Sequence, residues 1–227
     1  MQTSPALATW VPPESLTPSG HPIGPACDAR GADWAGLHLG DSDLSEARLC
    51  RVDLRGADLS DCQLDGTDLR LARYDSATRW PEDFDFRSSG AVGPLARLSG
   101  SFLNSADLAG MDLSGAILMG AYLSGADLSG ACLRGARLAG ADLRHAVLRS
   151  ALCEGVRFSG CQLDFADFRS AVLVDADLST AESIRGADFT GATNLELIRE
   201  ALLSRPFREL DCWNPLTRRA TRDSLKV

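Results

Sequence analysis

Lysine is nearly absent from this chain: Lys226 stands alone among 23 basic residues, and the rest are arginine. With 31 acidic residues the formal charge is −8, and no segment gathers a strong basic patch, which argues against direct binding to nucleic acid. Aromatic residues are scarce at 6%, against 44% hydrophobic residues overall, so aliphatic and small side chains must fill the interior. That composition suits a narrow core rather than a thick globular one. No apolar run is long enough to span a membrane. The start of the chain, "MQTSPALATWVPPESLTPSG", has neither a basic opening nor an apolar stretch suited to export. Histidine is limited to His21, His38 and His145, far apart and without metal-ligand spacing to cysteine. The seven cysteines (27, 50, 62, 132, 153, 161 and 212) form an odd set with no C-x-x-C pair, and they read as reduced thiols of a cytoplasmic protein.

Motifs that carry chemistry are missing as well. Neither G-x-S-x-G nor G-x-x-x-x-G-K-[ST] occurs, and "GDSDLSE" at 40–46 lacks the loop glycine and terminal glutamate of a calcium-binding loop. The sequence therefore predicts no enzyme, no metal and no cofactor.

What is present is a period of five. A large apolar residue recurs from Trp34 through Leu39, Leu44 and Leu49 to Tyr74, and again from Leu98 through Leu128 to Leu178. The residue two places earlier is small, as at Ala57, Ala106, Ala126 and Ala141. A helix would rotate such leucines about its axis, and a continuous strand would send alternate ones to opposite faces. A short extended piece followed by a turn satisfies the pattern. The small residue and the leucine then face inward, the residue between them faces water, and glycines such as Gly110, Gly125 and Gly140 take the turn.

These units, "ADLSG", "ACLRG", "ARLAG" and "ADLRH", resemble the pentapeptide-repeat family, and "YDSATRWPEDFD" is similar to segments near the array ends of its bacterial, notably cyanobacterial, members. The resemblance implies an all-β solenoid, a right-handed quadrilateral β-helix with four pentapeptides per coil. On this basis the chain divides into a Pro/Ser-rich tail (1–25), a first repeat run (26–74), an aromatic insertion (75–95) and a second run (96–193). A capping helix (194–204) and a C-terminal tail (205–227) follow. One extra residue between Leu178 and Phe189 predicts a local bulge.

Stacking the second run at twenty residues per coil gives four outward columns. They are Arg97, Ile117, Arg137 and Arg157; Phe102, Tyr122, Asp142 and Gln162; Asp107, Asp127, Val147 and Asp167; and Asp112, Cys132, Leu152 and Val172. The last column, with Val174 beside it, is an apolar stripe and the foremost candidate for protein contact, the alternative being that the C-terminal tail or the aromatic insertion of the same chain covers it. Phe102, Tyr122, Trp80 and Trp213 are secondary candidates. The expected function is a non-enzymatic scaffold for an unidentified protein partner, with a homodimer as one arrangement. The resemblance also offers an alternative, since some family members imitate duplex DNA and modulate DNA gyrase; Arg97, Arg137 and Arg157 sit awkwardly with that role.

Overall fold

The computed structural model describes residues 24–226. The expected tail over 1–25 therefore lies almost wholly outside the described residues, as does His21. The chain divides into two compact units, one ending at Ala96 and the other running from Arg97 to the C-terminus.

One repeat of the second unit shows how the pentapeptide satisfies its own backbone. In Ala126 to Gly130, the Ala126 N–H donates to Leu123 O at 3.0 Å, closing a turn. The Asp127 N–H donates to Ala106 O at 2.9 Å, while those of Leu128 and Gly130 donate to Val147 O and Arg149 O, both at 2.7 Å. The remaining N–H, that of Ser129, is taken by the Asp127 carboxylate at 2.9 Å. All five donors are paired, as a buried backbone requires. Gly125, at the third position of the preceding turn, has φ 68°, the left-handed value that a type II turn demands. Where a side chain occupies this position, as at His145 and Phe165 (both φ 60°), the left-handed backbone is retained.

Through most of the repeats an outward residue forms a single parallel bridge with the residue twenty places on, as in Arg97↔Ile117↔Arg137↔Arg157 and Phe102↔Tyr122↔Asp142↔Gln162. The expectation of an all-β solenoid, a right-handed quadrilateral β-helix, is corrected by this architecture. Among the described residues the only strands are β1 (Trp213–Asn214) and β2 (Arg219–Ala220), an antiparallel pair, and the repeats carry isolated one-residue bridges instead of a closed sheet. The physical reason lies in the repeat length. Two of every five residues form the turn, so the extended piece ends before a second bridge can adjoin the first.

The interior of the second unit is a stack of aliphatic side chains with small ones between them. Leu108, Leu128 and Leu148 are buried on successive layers, with Ala126 and Ala146 beside them. Toward its C-terminal end Phe158, Phe168 and Phe189 take over, Phe168 and Phe189 stacking at 5.1 Å. The extra residue is absorbed at 182–183, where the N–H groups of Glu182 and Ser183 both point to Cys161 O, at 2.9 and 3.5 Å. Bridges beyond it step by twenty-one residues, as in Gln162↔Ser183 and Asp167↔Asp188.

After the last repeat come α1 (Arg199–Leu203), α2 (Phe207–Leu210) and, following the β1–β2 pair, α3 (Thr221–Ser224). Leu195, Leu202, Leu210 and Leu225 are buried here. Polar groups fasten the segment to the final layer. The Asn214 amide donates to Gly186 O at 2.8 Å, and its oxygen accepts the N–H groups of Leu216 and Thr217. The Ile184 N–H donates to the Glu209 carboxylate at 3.0 Å, and Arg205 links Glu209 to Glu182 O.

In the first unit the same register joins Asp28↔Arg48↔Asp68 and Asp33↔Asp53↔Arg73. The segment after Tyr74 keeps two rungs of the ladder, Asp58↔Arg79 and Arg73↔Val92, and gathers its aromatics between them. Trp80 stacks on Phe84 and Phe86, and both Trp80 and Phe86 meet the buried Tyr74 ring edge-on. A short 3-10 helix, Phe86–Ser88, and the Tyr74 hydroxyl, which donates to Pro94 O at 2.7 Å, close the excursion.

Candidate contact surface

The outward residues form two kinds of surface. The first is set by Asp-x-Arg, which the sequence reading treated simply as solvent-facing. At Asp28/Arg30, Asp53/Arg55, Asp68/Arg70, Asp142/Arg144 and Asp167/Arg169 the carboxylate accepts the arginine's own backbone N–H and grips its guanidinium. At Asp43, Asp58, Asp107, Asp112, Asp127 and Asp177 the carboxylate caps the turn N–H without an arginine two places on. The signal was present as Asp two places before Arg, Ser or Ala, the spacing of an Asx-type turn. Burial pushes the Asp167 carboxyl up, but hydrogen bonds from Arg169 and Arg149 outweigh it and hold that group below the ordinary carboxylate range. In the Asp53 and Asp68 pairs the arginine hydrogen bond is the leading cause of a lowered carboxyl pKa.

The second kind of surface is apolar. The register brings Cys132, Leu152 and Val172 together on consecutive rungs, all half-buried, with Val174 half-buried in the turn that follows. Phe102 and Tyr122 meet more openly. Their rings stack at 4.9 Å with planes 9° apart, and they are 77% and 45% exposed. Met119, in the turn just before Tyr122, is 38% exposed. Trp80 belongs to the first unit, half-buried in its aromatic cluster with the indole N–H unpartnered. Trp213 opens β1 in the C-terminal segment and is 59% exposed. These last two are not neighbours of the Phe102–Tyr122 pair in the bridge register.

Among the described residues no group of three or more histidine, cysteine or acidic side chains could hold a metal ion. No helix among them is long and apolar enough to cross a membrane. His38 Nδ1 lies 3.3 Å from Asp58 Oδ2, and His145 stacks on Phe165 at 5.0 Å. The seven cysteines are unbonded. Burial pushes the thiols of Cys62 and Cys161 up to about 11 and that of Cys153 up to about 12.

A twenty-residue register built from five-residue units defines a tandem-repeat protein. The family model for Pentapeptide repeats matches residues 35–70, 96–135, 131–163 and 151–193, in eight copies and over more than half of the chain, so the chain belongs to the pentapeptide-repeat family. Among curated proteins none matches. Solved structures with similarity include a pentapeptide repeat protein from the Arabidopsis thaliana thylakoid lumen, 31% identical over 57% of this chain and 86% of its own, with a TM-score of 0.39. Another is HetL, involved in heterocyst differentiation regulation in the cyanobacterium Nostoc, 24% identical over 77% of this chain and 87% of its own, with a TM-score of 0.29. QnrB1, a plasmid-mediated fluoroquinolone resistance protein, is 20% identical over 70% of this chain and 81% of its own, with a TM-score of 0.26. The cytoplasmic expectation is corrected at this point: the Arabidopsis relative comes from the thylakoid lumen, so pentapeptide repeats do not specify the cytoplasm.

Proposed function

We propose that this chain is a non-enzymatic interaction protein that meets another protein through the outward columns of residues 97–193. Family membership supports a scaffold, and the stacked, exposed Phe102–Tyr122 pair carries the reading. Two aromatic rings held against each other on consecutive layers keep their positions without a partner, so little ordering is needed when one docks. Tyrosine and phenylalanine presented in this way are typical anchors of protein interfaces. The Cys132–Leu152–Val172 stripe with Val174 is the second contact column; its side chains are half-buried and offer less area.

No specific observation favours gyrase modulation over generic protein binding. The Asp-x-Arg carboxylates are already engaged by their own turns and arginines, whereas a duplex mimic needs them directed outward.

The test is capture from native lysate of the source cells, with crosslinking, using wild type, Phe102→Ala/Tyr122→Ala and Leu152→Arg, each first shown to melt like wild type. The reading expects the aromatic double variant to lose a protein that wild type retains. Identical retained proteins and an identical oligomeric state for all three would sink it.

A further inference from the structure

Beside the aromatic pair, the neighbouring column holds an anomaly of charge. Arg137 and Arg157 occupy consecutive rungs of one ladder, Ile117↔Arg137↔Arg157, and both are exposed. Like charges one layer apart, about 4.8 Å along the stack, repel. Neither guanidinium has a carboxylate or carbonyl partner among the described residues.

The nearby acids are committed elsewhere. Asp142 is held by Arg144, and Glu154 pairs with Arg134 at 3.1 Å. Asp177, the next rung after Arg157, accepts hydrogen bonds from Ser179 and Thr180. By contrast, Asp167 carries both Arg149 and Arg169. Arg137 and Arg157 are thus two exposed arginines on consecutive rungs of the repeat surface that form no ion pair among the described residues.

The bridge register puts this pair next to the apolar residues. Ile117 is one rung from Arg137, Met119 lies in the turn that follows Ile117, and Tyr122 is one pentapeptide on with Phe102 one rung away. From the layer of Phe102 to that of Arg157 is three steps, about 14 Å, the reach of roughly four residues of extended peptide.

We infer that Phe102, Tyr122, Met119, Ile117, Arg137 and Arg157 form one docking surface for an acidic segment of a partner protein, with an apolar side chain seated on the ring pair and carboxylates on the two arginines. Charge complementarity argues for this occupant: Arg137 and Arg157 are exposed on consecutive rungs and form no ion pair among the described residues, so both guanidinium groups are open to carboxylates supplied by a partner. The inference rests on the function proposed above and names the chemistry of its partner.

The test is fluorescence anisotropy on the full chain with a labelled peptide bearing Trp-Leu followed by a run of glutamates. Matched peptides carry lysines in place of the glutamates, or serines in place of Trp-Leu. The acidic apolar peptide should bind best and weaken with added salt. Arg137→Glu/Arg157→Glu and Phe102→Ser/Tyr122→Ser should each lower its affinity by about tenfold or more, with melting unchanged, while Leu152→Arg should leave it intact.

Equal binding of the glutamate and lysine peptides, or an arginine double variant that binds like wild type, overturns the inference. So does light scattering showing a wild-type dimer that Phe102→Ser/Tyr122→Ser disperses, because the occupant is then a second copy. If the peptide result is negative while Phe102→Ala/Tyr122→Ala still loses a captured protein, the acidic partner falls and the contact function stands.

Discussion

Replacing Leu128 by alanine tests the pentapeptide packing at its centre. Leu128 is fully buried, with Leu108 and Leu148 on the adjoining layers and Ala126 beside it. A buried leucine-to-alanine change costs about 2–5 kcal/mol, and the upper part of that range applies where the site cannot collapse. Here it cannot: the Leu128 N–H is fixed to Val147 O at 2.7 Å, and the Asp127 N–H to Ala106 O at 2.9 Å, so both neighbouring layers hold the backbone open. For a chain of this size about 2–4 °C is lost per kcal/mol, giving a fall in Tm of roughly 7–20 °C. Ala126→Leu adds bulk at the facing inward position and should cost about 1–3 kcal/mol. Asp127→Ala removes only the turn cap on Ser129, about 0.5–1.5 kcal/mol. Circular dichroism melts of the three variants should rank them in that order. Equal losses at all three positions, or the largest at Asp127, would show that the inward and outward assignments are wrong.

Asn214→Ala should leave Gly186 O without its donor and free the hairpin turn from the last layer, at a cost of about 1–3 kcal/mol; limited proteolysis near the C-terminus would accelerate. The Asp167 carboxyl is held below its unfolded value, so its contribution is complete above about pH 4 and disappears as pH falls through the folded-state pKa. Removing both Arg149 and Arg169 should flatten that acid limb in urea unfolding measured against pH. Cys62, Cys153 and Cys161 should resist a thiol reagent at mildly alkaline pH while the chain is folded and react once it is denatured, because burial raises all three.

Much of this was legible in the chain because the pentapeptide is a local code. The five-residue step from Leu123 to Leu128 to Leu133, with Ala126 and Ala131 between them, is enough to say which side chains are buried, since only an extend-and-turn unit sends residues two apart to the same side. The turn glycines and the extra residue before Phe189 were equally readable. Strand content was not. The family resemblance implied an all-β solenoid, a right-handed quadrilateral β-helix, but two turn residues in every five confine each rung to a single bridge.

The sequence by itself determined the period, the inward residues and the membership of a repeat family, all of which depend on contacts within a few residues. Only the tertiary structure decided what the outward residues do, because their partners lie about twenty residues away or in the C-terminal segment. It stacked Phe102 on Tyr122, bound the aspartates to their own turns, tied Asn214 to Gly186, and left Arg137 and Arg157 on consecutive rungs without an ion pair among the described residues.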